Sequence, residues 1–157
     1  MSQTPEKETL SKELVERSGV LMEQMGFTRM IGRLMGYLFI AEPPYKTFTD
    51  IQDYLQASKS SISTSLQFVI NQGLVVYFTV PGDRKRYFKL NAESWSDLIK
   101  KDVGQLTHAR KLIEECIALR SEAYPQFNRS LQEITDLYAF LEKELPVLIE
   151  RWEKSRR

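Results

Sequence analysis

The sequence predicts a mainly α-helical protein with one small β-hairpin, an α+β fold. Apolar residues recur at steps of three and four behind Ser58, which is typical of one buried helical face, and Gly73 ends that helix. Residues 75–80 and 87–90 are rich in β-branched and aromatic side chains, and Pro81, Gly82 and Asp83 between them form turns. Two long helical patterns then run to the end of the chain, the second of them as a regular heptad.

Length and composition limit the possible classes of protein. The chain has 157 residues, of which 42% are hydrophobic and 27% charged, enough for one packed domain with helical extensions. The net charge of +1 is unevenly divided: residues 28–90 carry +4, whereas residues 1–27 carry −2 and residues 91–157 carry −1. We expect no signal peptide, because the N-terminus has no basic region followed by an apolar core, and no apolar run is long enough to span a bilayer. The single cysteine fits a reducing compartment. We therefore expect a cytoplasmic protein with no membrane partner.

Two helices precede the central segment. Residues 8–25 form a helical stripe that includes Leu14 and Leu21, and a second helix follows Thr28, a suitable N-cap. Gly32 and Gly36 lie four residues apart on this second helix, where glycine is costly. Their spacing predicts close packing against another helix.

The central segment predicts two short helices joined by a brief turn. Thr47 and Asp50 have the spacing of a capping box, and Ser58 can cap the helix that follows. That helix has an apolar face opposite polar residues, and three cations follow at the hairpin tip. This layout is typical of a winged helix-turn-helix that reads double-stranded DNA.

The last helix carries an unbroken apolar seam with a 4-3 spacing. One small domain cannot cover two long helices with such faces, so we expect a homodimer built on the terminal helices. The predicted dimerisation residues are Leu14, Leu21, Phe127, Leu131, Ile134, Tyr138, Leu141, Leu145, Leu148 and Trp152. The predicted organisation is residues 1–27 as an N-terminal dimerisation helix, residues 28–90 as the DNA-binding domain and residues 91–157 as a helical dimerisation region.

Three motifs resemble the MarR-type winged-helix transcription factors, and within them the GbsR-like branch. They are the G-x-x-R-x-x-G-R-x-x-G pattern that begins at Gly26, the S-K-S-S-I-S pattern that begins at Ser58, and the wing P-G-D-R-K-x-Y that begins at Pro81. The resemblance implies a homodimeric prokaryotic regulator whose recognition helix enters the major groove of an inverted repeat. The predicted DNA-binding residues are Ser58, Lys59, Ser60, Ser61, Ser63, Thr64, Gln67, Arg84, Lys85, Arg86, Arg29 and Arg33.

Alternatives remain open for several of these residues. Arg29 and Arg33 could contact phosphates or form an internal ion pair with Asp50 or Asp53. The cations of the hairpin tip could simply be solvated, and the serines of the helix could be ordinary surface residues. Because Lys59 is the only charged residue on the recognition face, the main rival function is a winged-helix protein interaction module without DNA binding. A third possibility, compatible with the DNA-binding regulator, is a switch that senses a small-molecule effector between the helical dimerisation region and the winged domain.

The sequence predicts neither catalysis nor a cofactor. His108 and Cys116 are the only soft metal ligands and would lie about 12 Å apart along one helix, too far to share an ion. We expect Cys116 to be part of the core and His108 to be solvated. No nucleophile elbow or glycine-rich phosphate loop is present, so we expect a non-enzyme without a metal site.

Overall fold

The computed structural model describes residues 5–156, apart from the side chain of Ser94. The chain divides into two compact units, Met1–Ala92 and Glu93–Arg157. The first contains α1 (Pro5–Gln24), α2 (Arg29–Phe39), β1 (Lys46–Thr47), α3 (Phe48–Leu55), α4 (Lys59–Asn71), β2 (Val75–Thr79) and β3 (Arg86–Leu90). The second contains α5 (Trp95–Ala118) and α6 (Pro125–Ser155). The predicted mainly helical fold with a small sheet is confirmed. The first four residues of the predicted N-terminal dimerisation segment lie outside the described residues.

The sheet has three antiparallel strands in the order β1-β3-β2. Val75 pairs with Leu90 at one end of the β2–β3 hairpin, and Thr79 pairs with Arg86 at the other. Arg86 therefore begins a strand, whereas the sequence pattern suggests a place at the hairpin tip. The two-residue strand β1, which pairs with β3, was not predicted because it is too short to show an alternating pattern.

The core of the first unit is formed where α1 to α4 meet the sheet. Leu34, Ile51, Ile62, Val69 and Val75 are completely buried in it. They come from α2, α3, α4 and β2, so one cluster holds the helix-turn-helix and the base of the hairpin together. The recognition helix α4 is thus fixed from behind by its apolar face.

The glycines of α2 lie where α2 crosses α1. A Cβ atom on Gly32 would clash with the backbone carbonyl oxygen of Ser18 and lie 2.7 Å from the Cα atom of Gly19. One on Gly36 would lie 2.6 Å from the Oγ atom of Ser18. The predicted close helix–helix packing is confirmed, and its partner is α1.

Local hydrogen bonds start and stop the helix-turn-helix. The Thr47 hydroxyl accepts from the Asp50 backbone N–H and the Asp50 carboxylate accepts from the Thr47 backbone N–H, which confirms the capping box before α3. The Ser58 hydroxyl accepts from the Ser61 backbone N–H at the start of α4. Gly73, with φ of 76°, follows α4 and completes a Schellman motif, because its N–H and that of Leu74 bond back to carbonyls of the last turn.

The second unit is an antiparallel pair of helices. Arg110 of α5 donates to both carboxylate oxygens of Glu142 on α6, at 2.8 and 3.1 Å, and Lys100 pairs with Glu153 at 2.8 Å. Among the described residues of this unit, Val103, Thr135 and Ile149 are buried. His108 is exposed as expected, but Cys116 is exposed too, so the prediction of a core cysteine was wrong. Two helices alone have a narrow line of contact, and Cys116 lies off it.

The apolar seam of α6 is divided between two environments. Leu131, Tyr138, Leu141 and Leu145 are half-buried in the α5–α6 pair, whereas Phe127, Ile134, Leu148 and Trp152 are exposed. On α1, Leu14 and Leu21 are also exposed, at 46% and 57%. Their role in dimerisation stays a prediction. None of the described helices is long and apolar enough to cross a membrane.

Candidate nucleic-acid interface

The solvent-facing side of α4 is polar and carries no carboxylate. The exposed residues on this helix and its N-cap are Ser58, Lys59, Ser60, Ser63, Thr64, Gln67 and Asn71. Ser61 is half-buried, and its backbone N–H is used by the N-cap. The Gln67 amide donates to the Asn71 side-chain oxygen at 2.7 Å. Asn71 was not among the predicted residues, although its position four after Gln67 places it on the same face.

The Asp83 carboxylate stabilises the tip of the hairpin formed by β2 and β3. Asp83 accepts from the Lys85 backbone N–H at 2.9 Å and from the Tyr87 hydroxyl at 2.6 Å. The hydroxyl contact lowers the pKa of Asp83 and raises the pKa of Tyr87. Both groups therefore keep the protonation states that this bond needs at neutral pH. Arg84 and Lys85 are exposed beside this bond. Asp83 and Tyr87 support the hairpin tip, and because neither is a cation, the pattern of positive charge in the sequence does not indicate them.

Aromatic rings support the same hairpin. Phe78 and Tyr87 stack with centroids 5.4 Å apart, and Tyr45 meets both rings edge-on at 5.5 and 5.6 Å. The Arg86 guanidinium lies 4.9 Å from the Tyr77 ring centroid. Each such ring pair contributes about 0.5–1.5 kcal/mol to stability beyond the burial of its surface. These contacts therefore stabilise the strands that carry the hairpin tip.

The two predicted arginines of α2 have different surroundings. Arg33 is 2.7 Å from the Glu16 carboxylate of α1 and donates to the Leu55 backbone carbonyl at 2.9 Å. Arg33 therefore forms an internal ion pair, but its partner is Glu16 and not the expected Asp50 or Asp53. Arg29 is exposed, with its Cγ atom beside Gly19. Of the pair, Arg29 is the more available for a phosphate.

The described residues contain no group of three or more His, Cys, Asp or Glu side chains that could hold a metal ion. The candidate interface consists of the polar face of α4 and the cationic hairpin tip, and both lie in the first unit. This arrangement can donate hydrogen bonds and positive charge to an extended anionic partner.

The chain is similar to known transcriptional regulators. A model of the MmpR5-like MarR family of transcriptional regulators matches residues 93–155. The HTH-type transcriptional regulator MmpR5 of Mycobacterium tuberculosis (strain ATCC 25618 / H37Rv) is 30% identical over 130 residues, which cover 83% of this chain and 79% of MmpR5.

A solved structure supports the same assignment. The crystal structure of a transcriptional regulator superposes with a TM-score of 0.79 at 28% identity, over 92% of this chain and 98% of that one. The winged helix-turn-helix fold is thereby confirmed, and DNA binding is favoured over a module for protein contacts alone. The chain belongs to the MarR family of winged helix-turn-helix proteins, in its MmpR5-like group, and is a DNA-binding regulator of transcription.

Proposed function

We propose that the protein acts as a homodimer on an inverted-repeat DNA sequence. Each protomer places α4 in a major groove and the tip formed by Arg84 and Lys85, with Arg86 behind it, along the adjacent backbone or minor groove. The observation that carries this proposal is the carboxylate-free exposed face of α4 in the same compact unit as the three exposed cations. The finer GbsR-like assignment and a cytoplasmic location belong to the same proposal.

The exposed face of α4 supplies hydrogen-bonding groups suited to base edges. Gln67 can pair with adenine through its amide, and Ser63 and Thr64 can donate to or accept from several bases. Lys59, at the first turn, is the one cation of this face and suits a phosphate or a guanine. Ser58, Ser60 and Ser61 lie at the helix N-terminus, where backbone N–H groups also favour phosphate.

The cations outside α4 supply the part of the affinity that does not depend on sequence. Arg84 and Lys85 project from a hairpin whose backbone is braced by Asp83 and by stacked rings. Little backbone conformational entropy is therefore lost when the hairpin binds DNA. Arg29 is exposed and suits a backbone phosphate. Arg33 is committed to Glu16, so we assign it a supporting role in holding α2 against α1.

Dimerisation is supported by the apolar side chains left exposed on the single chain. Phe127, Ile134, Leu148 and Trp152 are 39–53% exposed along α6, and Leu14 and Leu21 are exposed on α1. A second copy of the chain would remove these surfaces from water. Two-fold symmetry then predicts half-sites about one helical turn, or about 10 bp, apart.

The test is selection of bound sequences from a random DNA pool, followed by salt titration on the selected operator. We expect an inverted repeat, binding of two chains per operator and affinity that falls steeply with salt. Replacing Arg84 and Arg86 by Ala should weaken binding to all sequences and reduce the salt slope by about 1 for each phosphate that the variant no longer neutralises. Gln67→Ala should instead change the preference among sequences.

The matched control removes two exposed lysines of α5, Lys101→Ala with Lys111→Ala. This variant loses the same charge and should keep most of the affinity and the original salt slope. If the two double variants lost affinity equally, general positive charge would explain binding and the assigned role of the hairpin would be wrong. A selection that enriched no sequence would refute the sequence-specific part of the proposal.

A further inference from the structure

The Arg33 side chain joins three helices of the first unit. Its Nε atom donates to the Glu16 carboxylate of α1 at 2.7 Å, and its Nη2 atom donates at 2.9 Å to the backbone carbonyl of Leu55, the last residue of α3. Arg33 itself belongs to α2, and its side chain is only 23% exposed. One guanidinium therefore connects α1 to the end of the helix that precedes α4.

The shape of a guanidinium suits this double contact. Its N–H groups point in fixed directions in one plane, so one arginine can donate to a carboxylate and to a carbonyl at the same time. Gly19 of α1 leaves room for the side chain, because a Cβ atom there would lie 2.9 Å from the Cγ atom of Arg33. The helix α1 thus contacts both the stem of this side chain, at Gly19, and its charged end, at Glu16.

The turn between α3 and α4 has a conformation that needs support. Gln56 follows Leu55 with φ of 50°, in the left-handed region that disfavours residues with a side chain. Carbonyls in the last turn of a helix have no donor further along that helix, so Arg33 supplies Leu55 with a partner from outside α3. Only residues 56–58 separate this carbonyl from Lys59, the first residue of α4. The Leu55 contact therefore acts close to the point where α4 begins.

The bonds of Arg33 add a directional constraint to the apolar core that holds α4 from behind. Burial of apolar surface is non-directional, whereas a hydrogen bond from a charged group is strong only within a narrow range of distance and angle. The contacts of Arg33 with Glu16 and Leu55 are of the second kind. They favour one orientation of α4 relative to α1 over neighbouring orientations.

We propose that Glu16 and Arg33 are positioning residues that set the spacing between the two DNA half-sites that the protein reads. In the proposed homodimer α1 belongs to the dimer contact, so a fixed orientation of α4 relative to α1 also fixes the separation of the two copies of α4. The inference rests on the proposed binding of a homodimer to an inverted repeat. In this role neither residue needs to contact DNA, and each acts through the turn before α4.

The test measures affinity for the selected operator and for the same operator with one base pair added to its centre or removed from it. One base pair moves a half-site by about 3.4 Å along the DNA and rotates it by about 35°. The unmodified chain should lose affinity by about tenfold or more on either change, because a rigid dimer must distort the DNA or release a half-site. The ratio of affinities is the readout, since a variant that is merely less stable loses affinity for all three operators alike.

The decisive variant exchanges the two charges, Glu16→Arg with Arg33→Glu. It keeps opposite charges facing each other between α1 and α2, but a carboxylate at position 33 cannot donate to the Leu55 carbonyl. Its affinities for the three operators should differ by about threefold or less. Glu16→Gln removes only the charge that holds the guanidinium, and its spacing preference should lie between those of the exchange variant and the unmodified chain. An exchange variant with the spacing preference of the unmodified chain would overturn the inference.

The control exchanges an exposed ion pair of the same helix, Glu8→Lys with Lys12→Glu, whose side chains are 2.8 Å apart. It should keep the spacing preference of the unmodified chain. Loss of the preference in this variant too would mean that the charge pattern of α1 sets the spacing, and the role assigned to the Leu55 contact would be wrong. Thermal unfolding checks that each variant is folded. If the Glu16 and Arg33 exchange does not fold, an undiminished preference in Glu16→Gln is the result that refutes the inference.

Hydrogen exchange of the free protein separates this inference from the proposed function. The Gln56 backbone N–H donates to the Gln52 carbonyl in the turn, and it should exchange about tenfold faster in the exchange variant, which lacks the Leu55 contact. Unchanged exchange of this amide would overturn the positioning role whether or not the protein binds DNA. If the amide exchanges faster but the unmodified chain binds no inverted repeat, the proposed function fails and the half-site spacing fails with it, whereas the positioning of the turn by Arg33 is upheld.

Discussion

Gly32→Ala should destabilise the protein although alanine is the better helix former. The added Cβ atom would lie 2.7 Å from the Cα atom of Gly19, 2.8 Å from the Cβ atom of Met22 and closer still to the Ser18 carbonyl oxygen. Carbon atoms prefer about 3.5–4.0 Å, so α1 and α2 must separate by roughly 1 Å. Two of the three obstacles are backbone atoms, which cannot rotate away.

The magnitude follows from two opposing terms. Overpacking of this kind costs about 1–3 kcal/mol, and a backbone clash favours the upper end of that range. Replacing a glycine inside a helix by alanine stabilises the helix by about 1 kcal/mol, which offsets part of that cost. The net loss should be about 2 kcal/mol in the free energy of unfolding, which corresponds to roughly 4–8 °C in Tm for a chain of this size.

The assay is urea and thermal unfolding at one fixed protein concentration, because dimerisation would make stability depend on concentration. Gly104→Ala is the matched control, since a Cβ atom there meets nothing within 4 Å. It should stabilise by about 0.5–1 kcal/mol. A Gly32→Ala protein as stable as the Gly104→Ala protein would refute the argument from close packing.

Two further predictions concern the hairpin tip and the second unit. Tyr87→Phe keeps the stacked ring but removes the donor to Asp83, so the Lys85 amide should exchange faster and affinity for all DNA sequences should fall, with Tm little changed. Glu142→Gln removes a carboxylate whose pKa is lowered by the Arg110 hydrogen bond. That contribution to stability is present above the ordinary pKa near 4.5 and is lost as pH falls through the lower folded value, so the variant should be less stable at pH 7 and lose less stability on acidification.

Each of these has a control. Tyr77→Phe removes a hydroxyl from the same hairpin without touching the Asp83 contact, so equal effects of the two tyrosine variants on Lys85 exchange would contradict the bracing role. Glu150→Gln removes an exposed carboxylate of α6 that pairs only loosely with Lys154, at 3.8 Å. If Glu150→Gln reduced the loss of stability at low pH as much as Glu142→Gln does, the contact of Glu142 with Arg110 would not explain that effect.

Much of the first unit was predictable because its structural determinants are local. The Thr47 capping box, the Ser58 cap and the Gly73 termination each involve groups within a few residues, and all three appear as expected. The exposed face of α4 follows from helical periodicity once its boundaries are known. The spacing of Gly32 and Gly36 indicated a close helix contact without naming the partner.

The interactions that were missed join distant parts of the chain. Arg33 pairs with Glu16 seventeen residues away, and β1 joins β3 some forty residues later. Neither pairing leaves a periodic pattern in the sequence. Asp83 and Tyr87 are only four residues apart, but their bond depends on the shape of the hairpin, which a search for positive charge does not detect.

The order of residues along the chain was enough to establish where the helices start and stop, which face of α4 is polar and where positive charge collects, because these depend on periodicity and on capping groups close in the chain. Folding in three dimensions was needed to bring α1 against Gly32, to pair Glu16 with Arg33, to leave Cys116 exposed and to bring the Arg33 guanidinium to the end of α3. Those features arise when separate elements meet, and a contact between distant residues is set by the packing of whole helices.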